Sequence, residues 1–139
     1  MEWAALVPEL ICTDIAMSVR FYTGVLGFQV RFERPEDGFV YLELGPAQLM
    51  LEQQGPQSWL TGAMEAPFGR GINLQIEVES LAPIADRIRR AGVALFREPR
   101  TSRYRQDDVE HGQIEMLIQD PDGYLLRLVE ILPERPWRG

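Results

Sequence analysis

The residues best suited to chemistry in this sequence are polar side chains at alternate positions of predicted strands. Asn73, Gln75 and Glu77 alternate with apolar residues, so they share one face of a strand. Arg127 lies inside the apolar run Leu125–Val129, where a guanidinium needs a partner or a route to the edge. Such a face either orients a polar ligand through hydrogen bonds or is simply solvated, and the strand pattern is compatible with both.

Several catalytic arrangements are excluded by the residue types that the chain lacks. One cysteine, Cys12, and one histidine, His111, leave no disulfide framework, no multi-cysteine zinc site and no basis for a Ser-His-acid triad. All 14 basic residues are arginines, which excludes Schiff-base chemistry and a phosphate-loop lysine. We predict that Cys12 is a small buried residue and that His111 is a solvated surface residue.

The charge and hydropathy of the chain restrict its partners. A net charge of −7 argues against nucleic acid, which requires a basic surface, and favours cationic ligands. No apolar run approaches the roughly 20 residues of a membrane span, so no membrane partner is expected. The first residues, Met1–Ala4, lack the basic start and apolar core of a signal peptide. We therefore expect a cytoplasmic protein.

The first half of the chain has the pattern of a β-α-β-β-β unit. Apolar residues recur at helical spacing after Thr13 or Asp14, either of which would cap the helix, and Gly27 ends that segment. Strands are predicted on both sides of this helix, and a hairpin turns at Gly45-Pro46. The predicted strands are Leu6–Cys12, Phe28–Glu33, Phe39–Leu44 and Gln48–Gln53.

The second half repeats this order after a linker rich in Gly and Pro, residues 55–71. Gly27 and Gly92 stand at equivalent helix ends, about 65 residues apart. The chain is thus predicted to be one α+β domain, 1–139, with βαβββ modules at 6–54 and 72–131 and a tail at 132–139. The second module is predicted as a strand Ile72–Val78, a helix capped by Ser80, a strand Val93–Arg97, a polar loop Glu98–Gly112 and a hairpin Gln113–Ile131.

These features together resemble the vicinal oxygen chelate superfamily, which includes glyoxalase I, extradiol dioxygenases and the fosfomycin- and bleomycin-resistance proteins. The resemblance rests on the paired modules, on the string Asp14…Phe21-Tyr22…Leu26-Gly27-Phe28, and on Asp120-Pro121-Asp122-Gly123 before a strand. It implies the glyoxalase/bleomycin-resistance fold, in which two modules curl their sheets around a cavity. In the enzymes of the superfamily, His, Glu or Gln side chains from facing strands usually hold a divalent metal in that cavity.

Transferred by the resemblance, the four metal-ligand positions fall at Val7, Met50, Asn73 and Arg127. Hard divalent cations need oxygen or imidazole ligands, usually with negative charge, and this set does not provide them. We therefore expect neither a metal nor another cofactor. The bleomycin-resistance branch is known for lacking the metal, and it sequesters a cationic glycopeptide in a cleft shared by a homodimer. By this resemblance we expect a homodimer that binds a cationic or aromatic small molecule.

The resemblance brings Arg127 close to Asn73, Glu9 and Gln75, so we predict that Arg127 pairs with Glu9 or bonds to one of the two amides. A structural ion pair and a ligand-orienting group are both compatible with this arrangement. Aromatic residues on loops would either stack on a planar ligand or cover an edge of the core. An enzyme of the superfamily, a lyase, an isomerase or a dioxygenase, is the alternative function, but no catalytic residue is assigned. The predicted ligand-binding residues are Glu9, Met50, Trp59, Phe68, Asn73, Gln75, Tyr104 and Arg127.

Overall fold

A computed structural model describes residues 2–139 of the chain, which divide into two compact units. The first unit extends to Ile72 and also contains Asp120–Tyr124. The second comprises Asn73–Gln119 and Leu125–Gly139. The predicted α+β fold of two tandem βαβββ modules is confirmed.

The first unit contains a four-stranded sheet, one α-helix with a π-helical continuation, and a one-turn 3₁₀ helix (Pro35–Asp37) between β2 and β3. Its elements are β1 (Glu9–Cys12), α1 (Ile15–Arg20), a π-helical continuation (Phe21–Leu26), β2 (Gln29–Arg34), β3 (Phe39–Leu44) and β4 (Ala47–Gln53). The strands lie in the order β1-β4-β3-β2, and the only parallel pair of this sheet is β1 with β4. Strand β1 is shorter than predicted: it begins at Glu9, although the carbonyl of Pro8 still accepts a hydrogen bond from the N–H of Met50 on β4 at 2.9 Å.

The helix of the first unit begins and ends as its sequence predicts. The carboxylate of Asp14 accepts a hydrogen bond from the backbone N–H of Met17 at 3.2 Å, which satisfies one of the free donors of the first turn. Gly27 follows the last turn with φ = 91°, a conformation that glycine adopts without the steric cost of a Cβ. The sequence thus determines both ends of this segment locally.

The second unit repeats the strand order of the first. Its elements are β5 (Asn73–Glu77), α2 (Ala82–Arg90), β6 (Arg97–Gln106), β7 (Val109–Gln119), β8 (Leu125–Ile131) and the short β9 (Arg135–Pro136). The main sheet has the order β5-β8-β7-β6, and β9 pairs with β7. The predicted tail therefore contains a short strand.

Two local predictions for this unit are wrong. The residue at the N-cap of α2 is Leu81 rather than Ser80, and its backbone N–H donates to the side chain of Glu130 at 2.9 Å. The segment predicted as a short strand and a polar loop is a long hairpin of β6 and β7, which turns at Asp107 with φ = 55°. Strand β6 is polar because it is the edge of the sheet, and four of its ten residues are arginines.

Each sheet has one apolar face that forms the core of its own unit. In the first unit Tyr22, Leu42 and Leu51 are fully buried, and in the second Met116 and Leu128 are. Cys12 also belongs to the buried face of the first sheet, and burial raises the pKa of its thiol to about 12. Cys12 is therefore a structural residue and not a nucleophile.

The Asp120-Pro121-Asp122-Gly123 turn holds β1 and the helix of the first unit in place. The hydroxyl of Tyr22 donates to Asp120 Oδ2 at 2.8 Å, and that of Thr13 donates to Asp122 Oδ1 at 2.6 Å. Gly123 has φ = 99°, and a Cβ there would lie 2.5 Å from Cβ of Pro67, so the contact requires glycine. The motif that carried the resemblance thus has a structural role.

Candidate functional site

The polar face of the first sheet borders a groove of about 800 Å³ that lies wholly within the first unit. Cross-strand pairing places Ile11, Glu52, Phe39 and Arg34 in one row across the four strands. Because paired residues point to the same side of a sheet, these side chains share one face. Glu9, two residues before Ile11, belongs to the same face and also lines the groove.

The groove carries an excess of negative charge. Arg34 is the one basic residue among the described residues that line it, whereas four are acidic. The acidic residues are Glu9, Glu36, Asp37 and Glu52. This sign of charge favours a cationic ligand, and the concave shape strengthens the local potential.

The environment of Glu9 makes its charge unfavourable in the absence of a ligand. Partial burial raises the pKa of this carboxyl above its usual value, and the negative charge of Glu52 raises it further. The positive charge of Arg34 opposes both effects. A cation bound between Glu9 and Glu52 would relieve their repulsion, so part of its binding energy would come from these two acids.

Aromatic rings lie on the same face as the acids. Phe32 and Tyr41 are stacked with ring centroids 5.1 Å apart, and Phe39 lies 5.9 Å from Phe32. Trp3 packs edge-on against Tyr41 at 5.3 Å. Trp59 lines the groove from residues 55–71 and is 91% exposed. An exposed tryptophan beside an acidic groove is suited to stacking on a cationic or planar ligand.

The polar face of the second sheet carries a different arrangement, centred on Glu115. This carboxylate has no exposed surface, and Arg127 Nη1 donates to its Oε2 at 3.2 Å. The hydroxyl of Tyr104 lies 2.8 and 2.9 Å from its two oxygens, and Gln113 Nε2 donates to it at 2.9 Å. Gln113 also contacts the side chain of Gln75 at 3.3 Å.

The donors around Glu115 keep it ionised. Burial by itself would raise the pKa of this carboxyl, but hydrogen bonds from Ser102, Gln113, Tyr104 and Arg127 together outweigh burial and lower it to about 2. A carboxylate in this state has its acceptor capacity taken up by the protein, so it is poorly suited to general acid–base work near neutral pH. Glu115 acts here as the structural counter-ion of Arg127.

The predicted ligand-binding residues do not lie together in one site. Glu9 and Trp59 line the groove of the first unit, and Met50 pairs in the sheet with Glu9 and Tyr41. Phe68 is buried in the first unit against Tyr124, with ring centroids 6.0 Å apart, so it covers the core and is closed to solvent. In the second unit, Gln75, Tyr104 and Arg127 belong to the Glu115 cluster, and Asn73 is exposed on β5.

The observed partner of Arg127 is Glu115, which the sequence prediction did not name. A signal for it exists, because Gln113 and Glu115 alternate with Ile114 and Met116 and so share the face of Arg127. The groove residues Arg34 and Phe39 were also missed. They adjoin the turn at residues 35–37, where alternation is interrupted and a sequence pattern no longer identifies the face.

The positions that correspond to metal ligands do not fit a metal ion. Met50 offers a thioether and Val7 an alkyl group, and the guanidinium of Arg127 is directed to Glu115. Within residues 2–139, no group of three or more His, Cys, Asp or Glu side chains is placed to hold a metal. No helix in the same range is both long and apolar enough to cross a bilayer.

Comparison with known proteins identifies relatives over nearly the whole chain. Residues 4–128 match the sequence model of the Glyoxalase/Bleomycin resistance protein/Dioxygenase superfamily. No curated protein matches the chain.

The solved structures that match this chain cover almost all of it. TioX from Micromonospora sp. ML1 has a TM-score of 0.71 at 18% identity, with 93% of this chain and 100% of that chain covered. The virulence protein STM3117 from Salmonella typhimurium has a TM-score of 0.69 at 19% identity, with 95% and 100% covered. A member of the same superfamily from Vibrio splendidus 12B01 is 34% identical over 91% of this chain and 97% of its own, with a TM-score of 0.42.

Proposed function

Because the chain belongs to the Glyoxalase/Bleomycin resistance protein/Dioxygenase superfamily, we propose that it is a small-molecule-binding protein of the bleomycin-resistance type. In this proposal it holds a cationic or aromatic ligand without a metal ion and acts by sequestration in the cytoplasm. The observation that carries the proposal is the acidic groove of the first unit, which is lined by Glu9, Glu52 and the exposed Trp59.

The chemistry of the groove supports a cation better than an anion or a neutral solute. Carboxylates attract the charge of a cation, and the aromatic residues that share the groove, Phe39 and Trp59, supply apolar surface with electron-rich faces. A ligand that combines a cationic group with a planar group would use both features. Cationic glycopeptides of the bleomycin class have this combination.

Glu9 and Glu52 are the residues that test the proposal most directly. A thermal-shift screen of cationic glycopeptides, aromatic metabolites and thiol conjugates is expected to select a cation, because a ligand of the native state raises the unfolding midpoint. Glu9→Gln and Glu52→Gln are each expected to weaken binding of bleomycin about three- to tenfold. The matched control is Glu79→Gln, which removes the same charge from an exposed position in the second unit.

The proposal fails if no cation raises the unfolding midpoint of the wild-type protein. It also fails if Glu79→Gln weakens binding as much as the two groove variants, since the effect would then reflect net charge alone.

An enzyme of the superfamily is the second candidate, and the raised pKa of Glu9 favours it. A carboxyl with a raised pKa is a better general base than an ordinary one, and Glu9 faces an open groove. Metal content separates this candidate from a metal-free binding protein. Stoichiometric zinc, nickel, iron or manganese that survives dialysis would contradict our assignment of Val7, Met50, Asn73 and Arg127.

We further propose that the chain forms a homodimer. Trp59 and Leu60 expose apolar surface in residues 55–71, and exposed apolar residues that adjoin one another are typical of an interface. The mass of one chain is 15.9 kDa, so a dimer would have twice this mass in light scattering at micromolar concentration. A mass equal to one chain under these conditions would contradict the dimer.

A further inference from the structure

The side chain of Arg34 lies in the acidic groove in the manner of a bound cation. Its Cζ atom lies 4.0 Å from the ring centroid of Phe39 and 6.0 Å from that of Phe32. Its Nε donates to Asp37 Oδ2 at 3.0 Å. A guanidinium over an aromatic ring with a carboxylate at its edge is the arrangement by which proteins bind arginine-like groups.

The position of Arg34 in the sheet brings it to the same face as the acids of the groove. Arg34 pairs with Phe39 on β3, and Phe39 pairs with Glu52 on β4. One strand, β3, lies between Arg34 and Glu52, so their backbones are two strand spacings apart, about 10 Å, which the long arginine side chain partly spans. Glu9 also experiences the positive charge of Arg34. The ring of Phe39 therefore lies between a tethered cation and two carboxylates.

Arg34 is held weakly in comparison with the neighbouring Arg31. The side chain of Arg34 is 47% exposed, and its ion pair with Asp37 is solvated at both ends. The side chain of Arg31 is only 6% exposed, and it is enclosed by Glu43 and the ring of Trp3. Exposed ion pairs and exposed cation–π contacts contribute little individually. Arg34 can therefore be displaced without disturbing the core, whereas Arg31 cannot.

We propose that Arg34 occupies a subsite for a ligand guanidinium or substituted ammonium group, and that such a ligand binds by displacing it from the ring of Phe39. This inference rests on the proposed function and specifies its ligand class. The ligand cation takes the place of the Arg34 guanidinium over Phe39 and also contacts Glu9 and Glu52. Arg34 cannot satisfy these two carboxylates fully, because its side chain is tethered to β2. Arg34 is thus an internal competitor that selects against weakly bound cations.

Removal of Arg34 tests this proposal with a defined probe. Phenylguanidinium is titrated calorimetrically into wild-type protein and Arg34→Ala, and Arg34→Ala is expected to bind it about three- to tenfold more tightly. Phenylurea, which has a similar shape without the charge, is expected to show no such gain. Arg34→Gln is a second variant that removes the charge but keeps a polar side chain, and the same gain is expected.

The matched control is Arg105→Ala in the second unit. Arg105 also lies 4.0 Å from an aromatic centroid, that of Trp137, and its Nε also donates to a nearby oxygen, the carbonyl of Asp107. Its removal lowers the net charge by the same amount and is expected to leave phenylguanidinium affinity within twofold of wild type. An equal gain in Arg105→Ala would assign the effect to net charge and overturn the proposal.

The remaining outcomes separate this inference from the proposed function. If phenylguanidinium binds the wild-type protein and binds Arg34→Ala and Arg34→Gln no more tightly, the displacement is refuted while cation binding stands. If phenylguanidinium binds neither wild type nor Arg34→Ala, and no glycopeptide shifts the unfolding midpoint, both proposals fail together.

Discussion

The two sheets have the same strand order but differ in whether their acidic side chains are bonded within the protein. In the first unit, Glu9 and Glu52 line an open groove in which acidic residues outnumber the single arginine. In the second unit, Glu115 is completely buried and bonded to Arg127, Tyr104 and Gln113. The same backbone therefore supports one face that is open to a ligand and one whose charges are satisfied internally.

The difference shows how a repeated module can fill the acceptors of a carboxylate in one copy and leave those of another carboxylate open in the other copy. A carboxylate whose acceptors are filled by internal donors stabilises the fold and has little left for a ligand. A carboxylate near another acid contributes little to stability, and a bound cation would relieve the repulsion between the two negative charges. The pKa values follow this division, because that of Glu115 is lowered and that of Glu9 is raised.

The largest effect is expected from Glu115→Gln, which breaks the internally satisfied cluster. The substitution leaves the partly buried guanidinium of Arg127 without its counter-ion, and we expect a loss of about 2–3 kcal/mol in the free energy of unfolding. Urea denaturation followed by circular dichroism measures it. Glu52→Gln is the matched control and is expected to change stability by less than about 0.5 kcal/mol. Equal losses of unfolding free energy in both variants would contradict the conclusion that only the carboxylate of the second sheet is bonded internally.

The pH dependence of stability provides the second test. A carboxyl with a lowered pKa stabilises the folded state above its unfolded pKa, and this contribution is lost as the pH falls towards its folded pKa. For Glu115 the loss is expected between pH 4.5 and about 2, the ordinary and folded pKa values. Urea midpoints measured across this range should decrease less steeply in Glu115→Gln than in the wild type. Parallel curves would show that Glu115 is not the responsible group.

The smallest effect, and one of opposite sign, is expected from Glu9→Gln. A carboxyl with a raised pKa opposes folding as the pH rises through that value, because its ionised form is disfavoured in the folded state. Neutralising Glu9 should therefore leave stability at pH 7 unchanged or raise it by less than about 0.5 kcal/mol. Differential scanning calorimetry at pH 4 and pH 7 would detect an increase in the stability of Glu9→Gln over the wild type that is confined to the higher pH. A clear loss at pH 7 would mean that Glu9 has a favourable partner.

The fold could be predicted to a large extent because its determinants are local. Asp14 and Gly27 mark the ends of the first helical segment, and the Asp120–Gly123 turn identifies the last hairpin. Strand β6 could not be predicted, because a polar edge strand has no hydrophobic alternation and is stabilised by its pairing with β7. The short hydrogen-bonded turn at Asp107 is likewise set by that pairing.

The candidate site was predicted only in part, since it depends on which strands are neighbours. Glu9 and Trp59 were identified from their chemistry, and both line the groove. Phe68 was expected to meet a ligand but is buried, because the packing of residues 55–71 against Tyr124 is a tertiary contact. The partner of Arg127 was missed because Glu115 is twelve residues away in the sequence and adjacent only through the β7–β8 pairing.

The sequence by itself determined the tandem modules, the alternation of each strand and the absence of suitable metal ligands at Val7, Met50 and Arg127. These properties depend on residue type and short-range spacing, which can be read without coordinates. Only the tertiary structure decided which charged side chains contact one another. Strand order and register placed Arg127 on Glu115, and they placed Arg34 over Phe39 in line with Glu52. A charge becomes structural or free to bind according to its neighbours across strands, and sequence spacing does not specify those neighbours.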